Sequence, residues 1–229
     1  MQALPSGIFL DDTGVLRAAQ LQSFPWIEHG FGTRNSTVWP DTTRLAMLKQ
    51  VHSANILRVH RPAFPAGEGD ALITNTPGLL VGIRTADCVP ILLADPAQRA
   101  VAAIHAGWRG AAEQIVTKTV ERLTAEFGSR PADIVAAIGP AIGRCCYEVG
   151  PEVAGRFKRW FHELDSYAKV QLDLVEANRL QLLSAGLPEA HISTVGLCTC
   201  CSNGLFHSYR RDGARAGRMV SAIGMKAEG

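Results

Sequence analysis

LLVGIRTADCVPILLADPAQRAVAAIHAGWRG, the stretch from Leu79 to Gly110, decides the fold. It holds three apolar runs. Leu79, Leu80, Val81 and Ile83 lead into the polar cluster Arg84-Thr85-Ala86-Asp87-Cys88. Val89 to Ala94 stops at the turn Asp95-Pro96, and Ala100 to Ile104 delivers His105 followed by the small Ala106-Gly107. Continuous apolar runs of this length, bounded by turn residues, predict strands buried on both faces. Strand ends are rigid supports that open onto the surface, so Cys88 and His105 are candidates for chemistry.

Outward from this stretch, Gly110 to Phe127 predicts a helix. Ala112, Ile115, Val116, Thr119, Val120, Leu123 and Phe127 recur at three- and four-residue spacing, and Gly128 suits its end. Ile134 to Ile138 and Ile192 to Gly196 predict strands, and Pro151–Trp160 and Asp173–Ala185 predict helices. On the N-terminal side, residues 1–25 read as an edge segment, and Trp26–Phe31 and Ile56–Val59 as strands. Asp41 or Thr42 is expected to cap a short helix over Arg44–Lys49. Ala71-Leu72-Ile73 is a short apolar run behind a loop rich in Pro and Gly. With no internal repeat, linker or low-complexity tract, one mixed α/β domain over residues 1–229 is the simplest reading.

Composition limits the function classes. The chain has 229 residues, 47% hydrophobic, enough for a large core. A net charge of +2 without a basic block gives no nucleic-acid footprint. The N-terminal residues lack a basic segment followed by an apolar one, and no apolar run reaches the ~20 residues that cross a bilayer. The expected compartment is the cytoplasm. The six cysteines are then expected as reduced thiols, metal ligands or a nucleophile.

His52, Cys88 and His105 stand out chemically. Two imidazoles and a thiolate suit zinc, and also copper, and three protein ligands leave a fourth position open. No short metal motif links the three. A buried Cys with two hydrogen-bonded His, and a metal-free Cys–His nucleophile pair, are competing readings. Cys145-Cys146 and Cys198, Cys200 and Cys201 are crowded, but a structural zinc site needs four to converge, and only Cys198 and Cys201 have the usual half-motif. They read as small residues packed beside an active site, with an oxidised Cys198–Cys201 pair as the alternative. Arg34, Arg84, Arg109, Arg210 and Arg211 sit near glycines or strand ends, where arginine can grip phosphate or carboxylate. Arg109 also lies at the start of the expected helix, where free N–H groups favour an anion. Asp87 could orient a ligand, accept a proton or cap a turn.

The segments His29-Gly-Phe-Gly-Thr-Arg34, Gln50-Val-His52, Gly69-Asp-Ala71, Thr85-Ala-Asp-Cys-Val-Pro-Ile91 and His105-Ala-Gly-Trp-Arg-Gly110 occur in the order of one known family. So do Ile138-Gly-Pro140 with Cys146-Tyr-Glu-Val149, Cys198-Thr199 and Ser208-Tyr-Arg-Arg-Asp-Gly213. The chain resembles the YfiH-type family, known as purine nucleoside phosphorylases and earlier as polyphenol oxidases or multicopper laccases. The resemblance runs from about residue 27 onward. It implies a layered α/β/β/α sandwich like the catalytic domain of cytotoxic necrotizing factor, with metal ligands falling on His52, Cys88 and His105. It implies phosphorolysis of adenosine, inosine and S-methyl-5′-thioadenosine, and deamination of adenosine, with zinc as the metal and copper as a possible substitute. Its implied partners are purine nucleosides and phosphate, with no nucleic acid or membrane; a monomer is favoured. Cys88, His105, Asp87 and Arg109 are then the catalytic candidates. Arg34, Asn35 and Arg211 are the candidates for holding substrate.

The chain departs from the family after Arg34, where a Gly-Gly-Val-Ser loop and a longer insert give way to Asn35–Arg44; altered specificity is the expected consequence. The laccase reading fails on chemistry. A trinuclear copper cluster draws on many histidines in His-x-His pairs, and this chain has seven histidines and no such pair. Copper-dependent phenol oxidation would need a single-metal site. A cysteine-dependent amide hydrolase, with Cys88 as nucleophile, His105 as base and a cell-wall precursor as substrate, is the other alternative.

Overall fold

The computed structural model describes residues 2–4, 7–164 and 167–227. In chain order the strands are Gln2–Leu4 (β1), Ile8–Leu10 (β2), Val15–Ala18 (β3), Ile27–Gly32 (β4), Leu45–Met47 (β5), Ile56–Arg58 (β6) and Ala71–Thr74 (β7). There follow Leu80–Thr85 (β8), Val89–Asp95 (β9), Ala100–Ala106 (β10), Val135–Ile138 (β11), Glu148–Val149 (β12), Val170–Gln171 (β13), Ile192–Thr194 (β14) and Met219–Met225 (β15). The helices are Ala19–Gln22 (α1), Trp108–Ala112 (α2), Ile115–Phe127 (α3), Pro151–Ala154 (α4), Leu174–Ser184 (α5) and Tyr209–Asp212 (α6).

Two mixed sheets carry the domain. One has seven strands in the order β1-β2-β3-β4-β15-β8-β5, and the other six in the order β14-β11-β9-β10-β7-β6. The β5–β8, β6–β7 and β11–β14 pairs are parallel, and the remaining pairs of these two sheets are antiparallel. The sheets are layered, and the side-chain alternation of β9 and β10 shows why. Ile91, Leu93, Ala102 and Ile104 face a core completed by Ile115, Val116, Val120 and Leu123 of α3. Leu92, Ala94, Val101 and Ala103 face the opposite core, shared with Leu16, Phe31, Val81, Ile83 and Ile223 of the seven-stranded sheet. A strand buried on both faces must be apolar at every position, which is the pattern the opening stretch carries. The outer face of the seven-stranded sheet is covered at Leu45, Leu80 and Ala222 by Trp39 and Met47. Among the described residues, no helix is long and apolar enough to cross a membrane.

Three local expectations need correction. Asp41 caps only a single 3-10 turn, Thr42–Arg44, and the next residues form β5 rather than a helix. Pairing parallel to β8 outweighs the weak local signal. The helix expected over Gly110–Phe127 is two helices, broken where Gln114 adopts φ 61°. The buried Gln181 amide donates to the Ala111 carbonyl at this break (2.8 Å). Pro151–Trp160 holds α4 and a 3-10 turn rather than one helix. The sequence reading also missed β15, which lies between β4 and β8 near the centre of its sheet.

His29 on β4 is buried, and its Nε2 accepts the Ala18 amide (2.9 Å). Burial, reinforced by the nearby Arg17 charge, holds its pKa down from 6.5 to about 3. Between those values the unfolded chain binds the proton and the folded one does not. Stability therefore rises with pH across this window and is lost on acidification. His29 alone should steepen the acid limb by about 1.4 kcal/mol per pH unit. Urea unfolding of His29→Gln between pH 7 and pH 4 should show a flatter acid limb than the wild type.

Candidate metal centre

The β-sheet register assembles the site before any side chain is considered. In the six-stranded sheet Ile104 pairs with Ala71, and His105 with Pro90. Extending both registers by one residue sets Asp70 beside His105, and Gly107 beside Cys88. The His105 amide donates to the Asp70 carbonyl at 2.8 Å, in line with this. On the far side of β7, the loop before β6 brings His52 to the same edge. Four chain segments thus end at one point.

Asp70 is fully buried, and it organises the centre. Its Oδ1 accepts the His52 amide (3.0 Å) and lies 2.8 Å from His105 Nδ1. Its Oδ2 accepts the Ser53 amide (2.6 Å), the Ser53 hydroxyl (2.8 Å) and the Val51 amide (3.3 Å). These bonds hold His52 at φ 59°, a left-handed conformation that a non-glycine residue keeps only when its surroundings impose it. With Nδ1 engaged by Asp70, His105 presents Nε2 to the centre.

The imidazoles of His52 and His105 meet edge to face with centroids 4.9 Å apart, and Cys88 Sγ lies 4.0 Å from His52 Nε2. One ligand atom from each of His52, Cys88 and His105 falls within 4.8 Å of the other two. Burial pushes the Cys88 thiol up, but hydrogen bonds and charge from His105 and His52 outweigh it and bring its pKa down to about 6. Burial works against the charge on His105 as well, yet Asp70 and Cys88 raise its pKa to about 9. Both shifts favour a thiolate beside an imidazolium in the metal-free centre, so a cation bound there would displace a proton. Gly107 leaves the necessary room. A Cβ there would stand 3.0 Å from His52 Cδ2 and 3.2 Å from Cys88 Sγ. Its φ of −70° is ordinary, so the need for glycine is steric. Gly107→Ala should keep the fold and weaken metal binding by about 10-fold or more, as measured by chelator competition.

The three side chains lie in an open cavity of about 730 Å³. Lys49, Arg84, Arg210 and Arg218 bring positive charge to its lining, while Tyr147 and Tyr209 supply aromatic surface. Asp87 also borders it, but both of its oxygens are occupied. Oδ1 accepts the Thr199 hydroxyl (2.6 Å), and Oδ2 accepts the Arg210 amide (2.6 Å) and the Ser208 hydroxyl (3.1 Å). Asp87, at φ 89°, lies in the bend between β8 and β9, with its carboxylate on the C-terminal segment and Cys88 beside His52. These bonds give Asp87 a structural task, tying the bend before β9 to the C-terminal segment.

The other expected residues sit elsewhere. Arg34, Asn35, Arg109 and Arg211 are absent from the cavity lining. Arg34 donates to Asn203, and Asn35 to the Gly204 carbonyl. Arg211 is spent on the carbonyls of Thr199, Cys200 and Phe206 and on Asp212. Arg109 stacks on Trp108 at 4.4 Å. His52, Cys88 and His105, named from the sequence, converge, as do Arg84 and Arg210 of the five arginines singled out there, whereas Asp70 and Arg218 were not singled out. A carboxylate directly ahead of the apolar run Ala71-Leu72-Ile73 was the available signal, because a buried charge must have partners. The cysteines depart from expectation too. Cys145, Cys146, Cys198 and Cys201 converge, and Cys145 and Cys201 are exposed rather than packed away.

Comparison with known proteins agrees with the motifs. Residues 33–226 match the family model described as multi-copper polyphenol oxidoreductase laccase. A purine nucleoside phosphorylase from Deinococcus radiodurans is 42% identical over 185 residues, covering 79% of this chain and 70% of that protein. Adenosine deaminase RL5, from an unknown prokaryotic organism, is 37% identical over 199 residues, covering 80% and 76%. The crystal structure of YlmD from Geobacillus stearothermophilus superposes with a TM-score of 0.87 at 33% identity, covering 97% of this chain and 100% of that one. The chain belongs to the YfiH-type family, the one whose model carries the polyphenol oxidoreductase laccase description.

Proposed function

We propose that the cavity is the active site of a zinc-dependent purine nucleoside enzyme. It would phosphorolyse adenosine, inosine and S-methyl-5′-thioadenosine, and deaminate adenosine. The observation that carries this reading is the convergence of two imidazoles and a thiolate at a cationic, aromatic-lined opening. The names of the relatives, purine nucleoside phosphorylase and adenosine deaminase, supply the substrate class.

The donor set fits the metal. His52, Cys88 and His105 offer one sulfur and two nitrogens, Asp70 fixes the tautomer of His105, and Gly107 keeps the centre clear. Copper shares this preference for imidazole and thiolate. Three protein ligands leave room for a fourth partner, as in catalytic rather than structural zinc sites. When bound, zinc would supply Lewis acidity and a water of lowered pKa.

The chain's own residues do the remaining work. Tyr147 and Tyr209 offer flat apolar surface to a purine, and Ile142 adds to that wall. Arg84, Arg210 and Arg218 can hold phosphate against the ribose, aligning the two reactants and screening their charge. Arg210 is positioned by the Cys146 and Glu148 carbonyls (both 3.1 Å), and Arg218 by those of Ala216 and Gly217. Arg84 stacks on the exposed Phe64 ring at 5.0 Å and has the most freedom to reach a ligand. Arg84→Ala should raise the KM for phosphate in phosphorolysis by about 10-fold and leave deamination nearly unchanged. An equal loss in both reactions would place Arg84 outside the phosphate subsite.

One observation favours a second reading. Asp70, His105 and Cys88 are connected in the order of a carboxylate–imidazole–thiol triad, and the thiol is already acidic. A cysteine-dependent amide hydrolase acting on a cell-wall precursor would use that arrangement without metal. Mass spectrometry separates the two readings: a thioester on Cys88 in metal-free protein supports the hydrolase.

A further inference from the structure

Four cysteines that take no part in the cavity chemistry form a second cluster. Cys145 and Cys146 lie on the 3-10 turn Arg144–Cys146, while Cys198 and Cys201 lie in the segment before α6. Their sulfurs all fall within 4.8 Å of one another. Cys201 Sγ is 3.6 Å from Cys145 Sγ and 3.3 Å from Cys146 Sγ. A tetrahedron with metal–sulfur bonds of about 2.3 Å has edges of about 3.8 Å, so small adjustments close it.

The backbone around Cys198 is arranged for a thiolate. The Gly143 amide donates to its Sγ at 3.2 Å, and the nearby Cys200 and Cys201 amides also favour negative charge on it. Cys198-x-x-Cys201 therefore wraps its own turn around a sulfur near several N–H groups, the pattern that stabilises negative charge on a metal ligand. Gly143 is a close fit, since a Cβ there would stand 3.1 Å from Cys198 Cβ and 3.3 Å from Cys145 Sγ. Cationic groups brace both turns. Arg210 donates to the Cys146 carbonyl (3.1 Å) and Arg211 to the Cys200 carbonyl (3.0 Å). They bring positive charge near a centre that would carry two net negative charges.

We infer that Cys145, Cys146, Cys198 and Cys201 form a structural zinc site, separate from the His52–Cys88–His105 centre. Four thiols lose their protons and coordinate one zinc ion, which closes the shell and leaves no position for substrate. The site joins two segments that otherwise meet through few bonds, Thr199 N to Ala141 O (2.9 Å) among them. Each segment feeds the cavity wall, one with Ile142 and Tyr147 and the other with Tyr209 and Arg210. Asp87 lies between them, accepting the Ile142 amide on its carbonyl and Thr199, Ser208 and Arg210 on its carboxylate. The zinc would act as a staple behind the active site.

Elemental analysis of full-length protein purified with zinc tests this without altering the cluster. The wild type should hold two equivalents of zinc, and Cys88→Ala should keep one. Cobalt-loaded Cys88→Ala should show the intense thiolate-to-cobalt charge-transfer absorption of a four-sulfur tetrahedral centre, and Cys198→Ser should lose that band. Complete loss of zinc in Cys88→Ala would overturn the inference. So would a mass lower by two hydrogens in non-reduced, denatured wild type, which reveals a disulfide in the cluster. A wild type with one equivalent that Cys88→Ala retains would uphold the staple while contradicting the metal centre of the proposed function.

Discussion

Cys88→Ala is expected to abolish metal binding at the His52–Cys88–His105 centre and to lower nucleoside turnover by at least about 1,000-fold while the chain stays folded. The thiolate is the one anionic ligand of the three, and its pKa near 6 keeps it ionised at neutral pH. Without it, two imidazoles remain, one of them on an exposed loop residue. Two neutral ligands hold zinc far more weakly than a set that includes a thiolate. The residue is half-buried and sits at the end of a strand, so the change removes little packing. Circular dichroism and urea unfolding should therefore resemble the wild type within about 1 kcal/mol. Acidification should reproduce the loss in the wild type. As the pH falls below about 6 the thiol retains its proton, and a cation must compete with it.

Asp70→Ala has the second large effect, and it strikes both function and stability. The substitution strands three backbone amides, at Val51, His52 and Ser53, together with the Ser53 hydroxyl and His105 Nδ1. Removing a buried acceptor from several donors costs about 3–5 kcal/mol. His105 then loses its raised pKa and its fixed tautomer, and His52 loses the bonds that hold its left-handed backbone. Metal affinity should fall about 10–100-fold beyond the loss of stability. Asp70→Asn separates the effects, since it keeps a hydrogen-bonding oxygen and removes the charge. It should recover part of the stability and little of the affinity, as read by urea unfolding alongside chelator competition.

Cys88 and His105 were legible as candidates because they lie at the ends of strongly apolar runs. Cys88 directly precedes β9 and His105 lies in β10, two strands whose every residue is buried, a local pattern that needs no knowledge of the partners. The core helix around Val116, Val120 and Leu123 was legible for the same reason. What the sequence concealed depends on contacts between distant segments. Met219–Met225 lies between β4 and β8, and nothing in its own seven residues reveals those partners. Leu45–Met47 becomes a strand only through parallel pairing with β8. The same holds for the arginines. Arg211 looks like a ligand-binding residue in sequence, and only the fold shows its guanidinium spent on Thr199, Cys200, Phe206 and Asp212. Arg84 and Arg218, far apart in sequence, share the cavity because β8 and β15 are neighbours. The cysteines concealed most, because adjacent Cys145-Cys146 match no familiar metal spacing until the Cys198–Cys201 turn is brought against them.

A metal held by His52, Cys88 and His105 should turn over purine nucleosides. Adenosine incubated with zinc-loaded protein, with and without phosphate, followed by liquid chromatography, tests it most directly. Inosine should form in both incubations and adenine with ribose 1-phosphate only when phosphate is present, with all products lost in Cys88→Ala. Absence of purine turnover in the zinc-loaded wild type, or undiminished turnover in metal-free Cys88→Ala, would contradict it.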